Sequence, residues 1–215
     1  MHVQDLKTLL PRLGYTYGAL KLRTRFAIEL LRAVIACLAA GIAHLDIKPS
    51  NCFLYQKAGC RGQMTLKLGE FGSSRHLDFH GAFGPTTFPP PEVVTPDPGL
   101  DLAGWDTWSS ATTVALILGW SDHTVWKYSG RLEERIDLGI EHPYTAANIT
   151  RLRWDVLTPS SWPMGLSEPL RAWLASTLRL VPNGTGEQED AEGLEQMRPT
   201  GLGVLHRIVA LGTPA

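Results

Sequence analysis

The residues that most restrict what this chain can become are His44-Leu45-Asp46-Ile47-Lys48-Pro49-Ser50-Asn51, a polar segment set between two apolar runs. Ahead of it, Phe26, Leu30 and Val34 recur at four-residue steps, with Ala27, Leu31 and Leu38 beside them and Gly41 ending the run. That period predicts a helix over residues 20–40 with one strongly apolar face. Behind it, Cys52-Phe53-Leu54-Tyr55 and Met64-Thr65-Leu66-Lys67-Leu68 read as two short strands of a hairpin joined through the Gly-containing stretch 56–63. Taken alone, the segment fits a hydrogen-bonded turn around one core histidine.

The longest apolar stretch, Ala33 to Ala43, is shorter than the ~20 residues that cross a bilayer, so it predicts a buried helix and no membrane-spanning segment. With 44% hydrophobic and 19% charged residues, the 215-residue chain has the makeup of one soluble domain. Twenty basic against twenty-one acidic side chains give no global attraction to nucleic acid. Cys37, Cys52 and Cys60 are spaced neither as a zinc motif nor as a disulfide framework and read as reduced thiols. Met1 to Asp5 shows no export signal, which makes the cytoplasm the default compartment.

Farther along, residues 69–104 are rich in Gly, Pro and Ser, with Pro89-Pro90-Pro91 excluding helix and central strand, and predict a long functional loop. Thr107 to Leu118 is apolar nearly all round and predicts a central helix capped by Gly119. Ser167-Glu168-Pro169 followed by Leu170, Trp173, Leu174, Thr177 and Leu178 predicts a capped amphipathic helix. The acidic, Gly-containing stretch 183–196 predicts a solvated loop, and Thr200 to Leu211 a last helix.

In order along the chain, His44 to Asn51, Gly69-Glu70-Phe71-Gly72, Gly84-Pro85-Thr86-Thr87-Phe88-Pro89-Pro90-Pro91-Glu92, Asp106-Thr107-Trp108-Ser109 and Arg198-Pro199-Thr200 resemble five motifs of the eukaryotic protein kinase superfamily, of the serine/threonine type. The resemblance implies Asp46 as catalytic base, Lys48 as electrostatic aid, and Asn51 and Glu70 as magnesium ligands, with ATP as cofactor and a protein as substrate or binding partner. It also implies Phe53 and Asn51 in cofactor binding, and Gly84, Pro85, Thr86, Thr87 and Phe88 in substrate docking. His44 and Phe71 would stack, Asp106 would accept hydrogen bonds from the catalytic loop, and Glu92 would pair with Arg198. For Asp106 the plain alternative is a helix N-cap.

The implied fold is mainly α: a kinase-like C-terminal lobe over residues 1–213, a helical bundle whose small hairpin carries the catalytic and magnesium loops. Asp5-Leu6-Lys7-Thr8-Leu9-Leu10 resembles the first helix beyond the interlobe hinge, with no Gly-rich loop or strand lysine before it, so the N-terminal lobe is expected to be absent. The 215 residues alone are then expected to show no phosphotransfer. They serve either a kinase in a more complete chain or a pseudokinase-type binding scaffold.

Three departures from the family pattern stand out. Glu70 replaces Asp, a stem longer by ~1.5 Å for a metal that wants near-octahedral geometry. Leu45 replaces an Arg that clamps activation-loop phosphate, and Pro85 replaces a bracing Thr. The Pro-rich segment end, the missing Arg and the extension before Asp106 are similar to apicomplexan rhoptry kinases and pseudokinases, which would imply secretion. Small-molecule kinases of the aminoglycoside type share the His-x-Asp loop but lack the Pro-Pro-Glu and Arg-Pro-Thr pair.

Overall fold

Periodic apolar residues form the framework. In the computed structural model, the described residues are 3–14, 16–56, 64–81 and 101–119, together with Phe88, Leu170, Trp173, Leu174 and Thr177. The first long helix, α2 (Tyr17–Ala39), starts one turn earlier than its apolar period indicates, because Thr16 accepts a hydrogen bond from the Ala19 amide and caps it. Its apolar face, Phe26, Ala27, Leu30, Leu31 and Val34, is completely buried. The chain leaves the helix through Gly41 at φ 76°, a left-handed turn that costs glycine nothing.

A second helix, α3 (Leu102–Leu118), packs on α2, and all but two of its residues are buried, as an apolar circumference requires. Gly119 at φ 104° caps it. The helix begins five residues before the expected Thr107, since Asp101 serves as its N-cap and accepts from the Ala103 amide at 2.9 Å. Asp106 is therefore an interior helix residue, which removes the N-cap alternative.

The hairpin strands are β3 (Cys52–Gln56) and β4 (Met64–Leu68), antiparallel with Cys52 opposite Leu68. Cys52, Leu54 and Leu66 face the helical core. A strand absent from the sequence reading, β1 (Val3–Asp5), adds antiparallel to β3 and makes a three-stranded sheet in the order β1-β3-β4. Asp5 ends that strand and caps a one-turn helix, α1 (Leu6–Leu9), through the Thr8 amide at 2.8 Å.

The free edge of β4 is closed by α2. Glu29 accepts from the Leu66 amide at 2.6 Å, and Arg25, 3.6 Å from Glu29, donates to the Met64 carbonyl. Satisfying these edge groups removes a template for pairing with other chains.

Two more short strands modify the expected long loop: β2 (Ile42–Ala43) pairs antiparallel with β5 (Arg75–His76), placing Ala43 opposite Arg75. Leu170, Trp173, Leu174 and Thr177 are helical and buried, with the three apolar residues in the main core. The expected last helix, Glu92, Arg198 and residues 126–163 lie outside the described residues.

Candidate active site

Between β2 and β3 the polar segment turns back over the core and ends in a single 3-10 turn, Pro49–Asn51. His44, Leu45 and Ile47 point inward and are buried, whereas Asp46 and Lys48 alternate outward. Lys48 Nζ lies 2.8 Å from Asp46 Oδ2, and Asn51 Nδ2 donates to the same oxygen at 2.9 Å and to the Asp46 carbonyl at 2.8 Å. A carboxylate so held has its lone pairs aimed by two neighbours and can orient a hydroxyl or take its proton. With its amide nitrogen committed to Asp46, Asn51 has its side-chain oxygen as the atom a hard cation would use.

Asp106 holds this turn from below. Its carboxylate accepts from the His44 amide at 2.5 Å and from the Leu45 amide at 2.8 Å. Burial pushes the Asp106 carboxyl up to about 7, with the two amides opposing that shift. Leu45, at φ 63°, sits in the left-handed region, where a side chain costs roughly 1–2 kcal/mol. Two amides gripped by one carboxylate supply what that conformation needs to persist.

Leu45 is fully buried with Ala43, Leu102 and Trp105, and Leu77 and Phe79 pack on the cluster. Its side chain is thus part of an apolar seam joining the Asp46 turn to the segment after Phe71. The Leu77 amide adds a bond to the Gly41 carbonyl at 2.9 Å.

Glu70 follows β4, exposed and in a left-handed conformation at φ 63° and ψ 59°. The preceding residue ties it to the turn: the Gly69 amide donates to the Asn51 carbonyl at 2.9 Å, and the Gly69 carbonyl accepts from His44 Nε2 at 2.8 Å. Phe71, 48% exposed, covers the His44 ring with centroids 4.7 Å apart and planes tilted by 59°. Among the described residues no three His, Cys, Asp or Glu side chains converge as a metal site. Asn51 and Glu70 each carry a side-chain oxygen, the donor type that magnesium takes.

Residues 2–176 match the protein kinase domain. The chain belongs to the protein kinase family. It is 34% identical over 101 residues to CBL-interacting protein kinase 20 of Oryza sativa subsp. japonica, covering 44% of this chain and 21% of the relative. CBL-interacting serine/threonine-protein kinase 14 of Arabidopsis thaliana is 30% identical over 115 residues, 48% of this chain and 24% of that protein. Smooth muscle myosin light chain kinase of Gallus gallus is 31% identical over 122 residues, 54% of this chain and 5% of the relative. The kinase chain thus spans a quarter or less of each of these relatives. The subfamily resemblance to rhoptry proteins gains no support from these matches.

Of the other expected site residues, Phe53 is half-buried on β3, and Phe88 is buried with its carbonyl held by Ser109 Oγ at 2.8 Å. Gly84, Pro85, Thr86 and Thr87 lie outside the described residues. Arg23 was missed by sequence reasoning. It is 2% exposed and donates to the carbonyls of Leu10, Leu13 and Ile117, so one guanidinium joins the chain ahead of α2 to the last turn of α3. Its position three residues before Phe26, on the apolar stripe, was the available signal.

His44 carries a pH dependence. Because a carbonyl only accepts, Nε2 bears the proton toward Gly69, and Nδ1 accepts from the Asp46 amide at 3.3 Å. Burial holds the imidazole below its ordinary range, with the Gly69 carbonyl and Asp46 opposing. The stability that neutral His44 contributes is present above the unfolded value near 6.5 and is lost as pH falls through the lower folded value. The melting-temperature advantage of wild type over His44→Phe should therefore shrink between pH 7.5 and pH 5. Asp106 has the opposite sign but is common to both proteins. An advantage unchanged across that range would contradict a folded-state imidazole held neutral by burial.

Proposed function

We propose that this domain carries out ATP-dependent phosphorylation of serine and threonine residues in protein substrates, as part of a more complete kinase. The observation that carries the reading is the cluster of Asp46, Lys48 and Asn51, joined through one carboxylate oxygen with contacts of 2.8 and 2.9 Å. Asp46 orients the substrate hydroxyl and accepts its proton. Lys48 offsets negative charge on the transferring phosphoryl group. Lys48, two residues after Asp46, also favours serine and threonine over tyrosine as acceptors.

Asn51 and Glu70 would hold magnesium, which when bound supplies charge neutralisation on the nucleotide phosphates. Phe53 contributes to the base-binding surface. Gly84 to Phe88 would line the substrate peptide, with Glu92 and Arg198 tying that loop to the last helices of one domain over residues 1–213. A more complete chain would add the phosphate-gripping groups of an N-terminal lobe.

The test is steady-state transfer from ATP to a serine peptide by the full-length protein. Lys48→Met should lower kcat by ~10²–10³, the usual effect of losing one preorganised transition-state group. Unchanged kcat in that variant would remove Lys48 from the chemistry. Glu70→Asp should raise magnesium-dependent activity, because the shorter stem improves octahedral alignment. Equal or lower activity across a magnesium titration would contradict that account of Glu70.

A further inference from the structure

A hydroxyl inside a helix has a local acceptor, the carbonyl four residues earlier. In α3, Thr107 takes that of Ala103 at 2.8 Å, Ser110 that of Asp106 at 2.5 Å and Thr112 that of Trp108 at 3.1 Å. Ser109 and Thr113 reach out of the helix instead. Ser109 holds the Phe88 carbonyl, and Thr113 Oγ1 donates to the Ile47 carbonyl at 3.3 Å, 66 positions away in sequence. Thr113 is completely buried.

The Ile47 carbonyl lies at the centre of the Asp46 turn. Its neighbours on either side are satisfied within the turn, the Asp46 carbonyl by Asn51 Nδ2 at 2.8 Å and the Lys48 carbonyl by the Asn51 amide at 3.0 Å. The one between them is held from α3. Because a peptide is planar, a bond to the Ile47 oxygen also fixes the Lys48 nitrogen, and so the direction in which the Lys48 stem departs. Lys48 leaves in an extended conformation, at φ −158° and ψ 162°, and its ammonium comes back to Asp46 at 2.8 Å. Asp106, two turns before Thr113 on the same face of α3, holds the turn at His44 and Leu45. The helix therefore grips the turn at two points.

We propose that Thr113 is a positioning residue for phosphoryl transfer: through the Ile47 carbonyl it sets the direction in which the Lys48 ammonium meets the transferring group. This rests on the role given to Lys48 above. Lys48 acts on charge that develops during transfer, so a tilted peptide lowers kcat and leaves substrate binding in place. Thr113→Val keeps the shape of the side chain and loses its donor. A buried carbonyl left in that state turns toward another partner, and Lys48 turns with it.

The experiment is steady-state transfer from magnesium-ATP to a serine peptide by the full-length protein, comparing wild type, Thr113→Val, Thr113→Ser, Lys48→Met and the variant carrying both Thr113→Val and Lys48→Met. Thr113→Val should lower kcat roughly tenfold, inside the ~10²-fold that a small misplacement of a reacting group can cost, with KM for both substrates changed less than about twofold. Thr113→Ser restores the donor and should stay within about threefold of wild type. In the Lys48→Met background, where the ammonium is gone, Thr113→Val should change kcat by less than about twofold. Equal losses in both backgrounds, no rescue by Thr113→Ser, or a Thr113→Val kcat equal to wild type overturns the proposal. Should Thr113→Val fail to fold, Thr113→Ala against Thr113→Ser isolates the same hydroxyl and is judged by the same criteria. Lys48→Met with wild-type kcat removes the role of Lys48 itself, and this inference with it, whereas a slow Lys48→Met beside an unaffected Thr113→Val overturns this inference alone.

Discussion

Asp46→Asn in the full-length protein should reduce phosphoryl transfer to a serine substrate by ~10²–10⁴, the range a positioned general base contributes. The substitution is nearly isosteric. Asn51 keeps an oxygen to donate to, and the Asp46 backbone carbonyl, its second acceptor, is unaffected. The partly exposed ion pair with Lys48 is weakened, an interaction worth ~0–1 kcal/mol at such sites. Activity should thus collapse while the melting temperature moves little. A variant retaining more than about a tenth of wild-type kcat would show that Asp46 does not handle the proton. A large loss of stability would show that it is part of the scaffold.

Asp106→Ala should produce the largest loss of stability, about 3 kcal/mol, near 10 °C in melting temperature for a chain of this size. Its carboxylate satisfies two buried amides, those of His44 and Leu45, and each left without an acceptor costs about 1–3 kcal/mol. Removal also frees Leu45 from its left-handed conformation, so the Asp46 turn should relax. Asp106→Asn keeps one acceptor oxygen and should fall between alanine and wild type. Denaturant unfolding of the three proteins checks the order. Alanine within about 0.5 kcal/mol of wild type would mean that water or another group satisfies those amides.

Elements built by periodicity were legible from the residues. The apolar stripe of α2, the hairpin pair and the apolar circumference of α3 each follow from local pattern, and Gly119 marks its helix end by backbone chemistry. The elements that were not legible are those whose length hides any period. Val3–Asp5 and the two-residue strands Ile42–Ala43 and Arg75–His76 exist because a partner strand lies beside them, which no local pattern records. The first turn of α3 was hidden by Gly104, a poor helix former whose burial in the packed helix outweighs its propensity.

At the site, spacing brought Asp46, Lys48 and Asn51 into one cluster because all three lie within a single short turn. The contribution of Gly69 was invisible for the opposite reason. Its two backbone bonds depend on how the hairpin returns to the turn, and a glycine in a Gly-rich stretch carries no sign of that. Leu45 reads as a departure in the motif, and only the surrounding Ala43, Leu102 and Trp105 give the change an apolar rationale.

The central claim, that the Asp46 cluster serves magnesium-dependent transfer to serine or threonine, is tested most directly by phosphoamino-acid analysis. The full-length protein would be incubated with γ-labelled ATP and a mixed protein substrate, with and without chelator. The account predicts label on phosphoserine and phosphothreonine that disappears on chelation; label on phosphotyrosine, label that survives chelation, or none at all would contradict it.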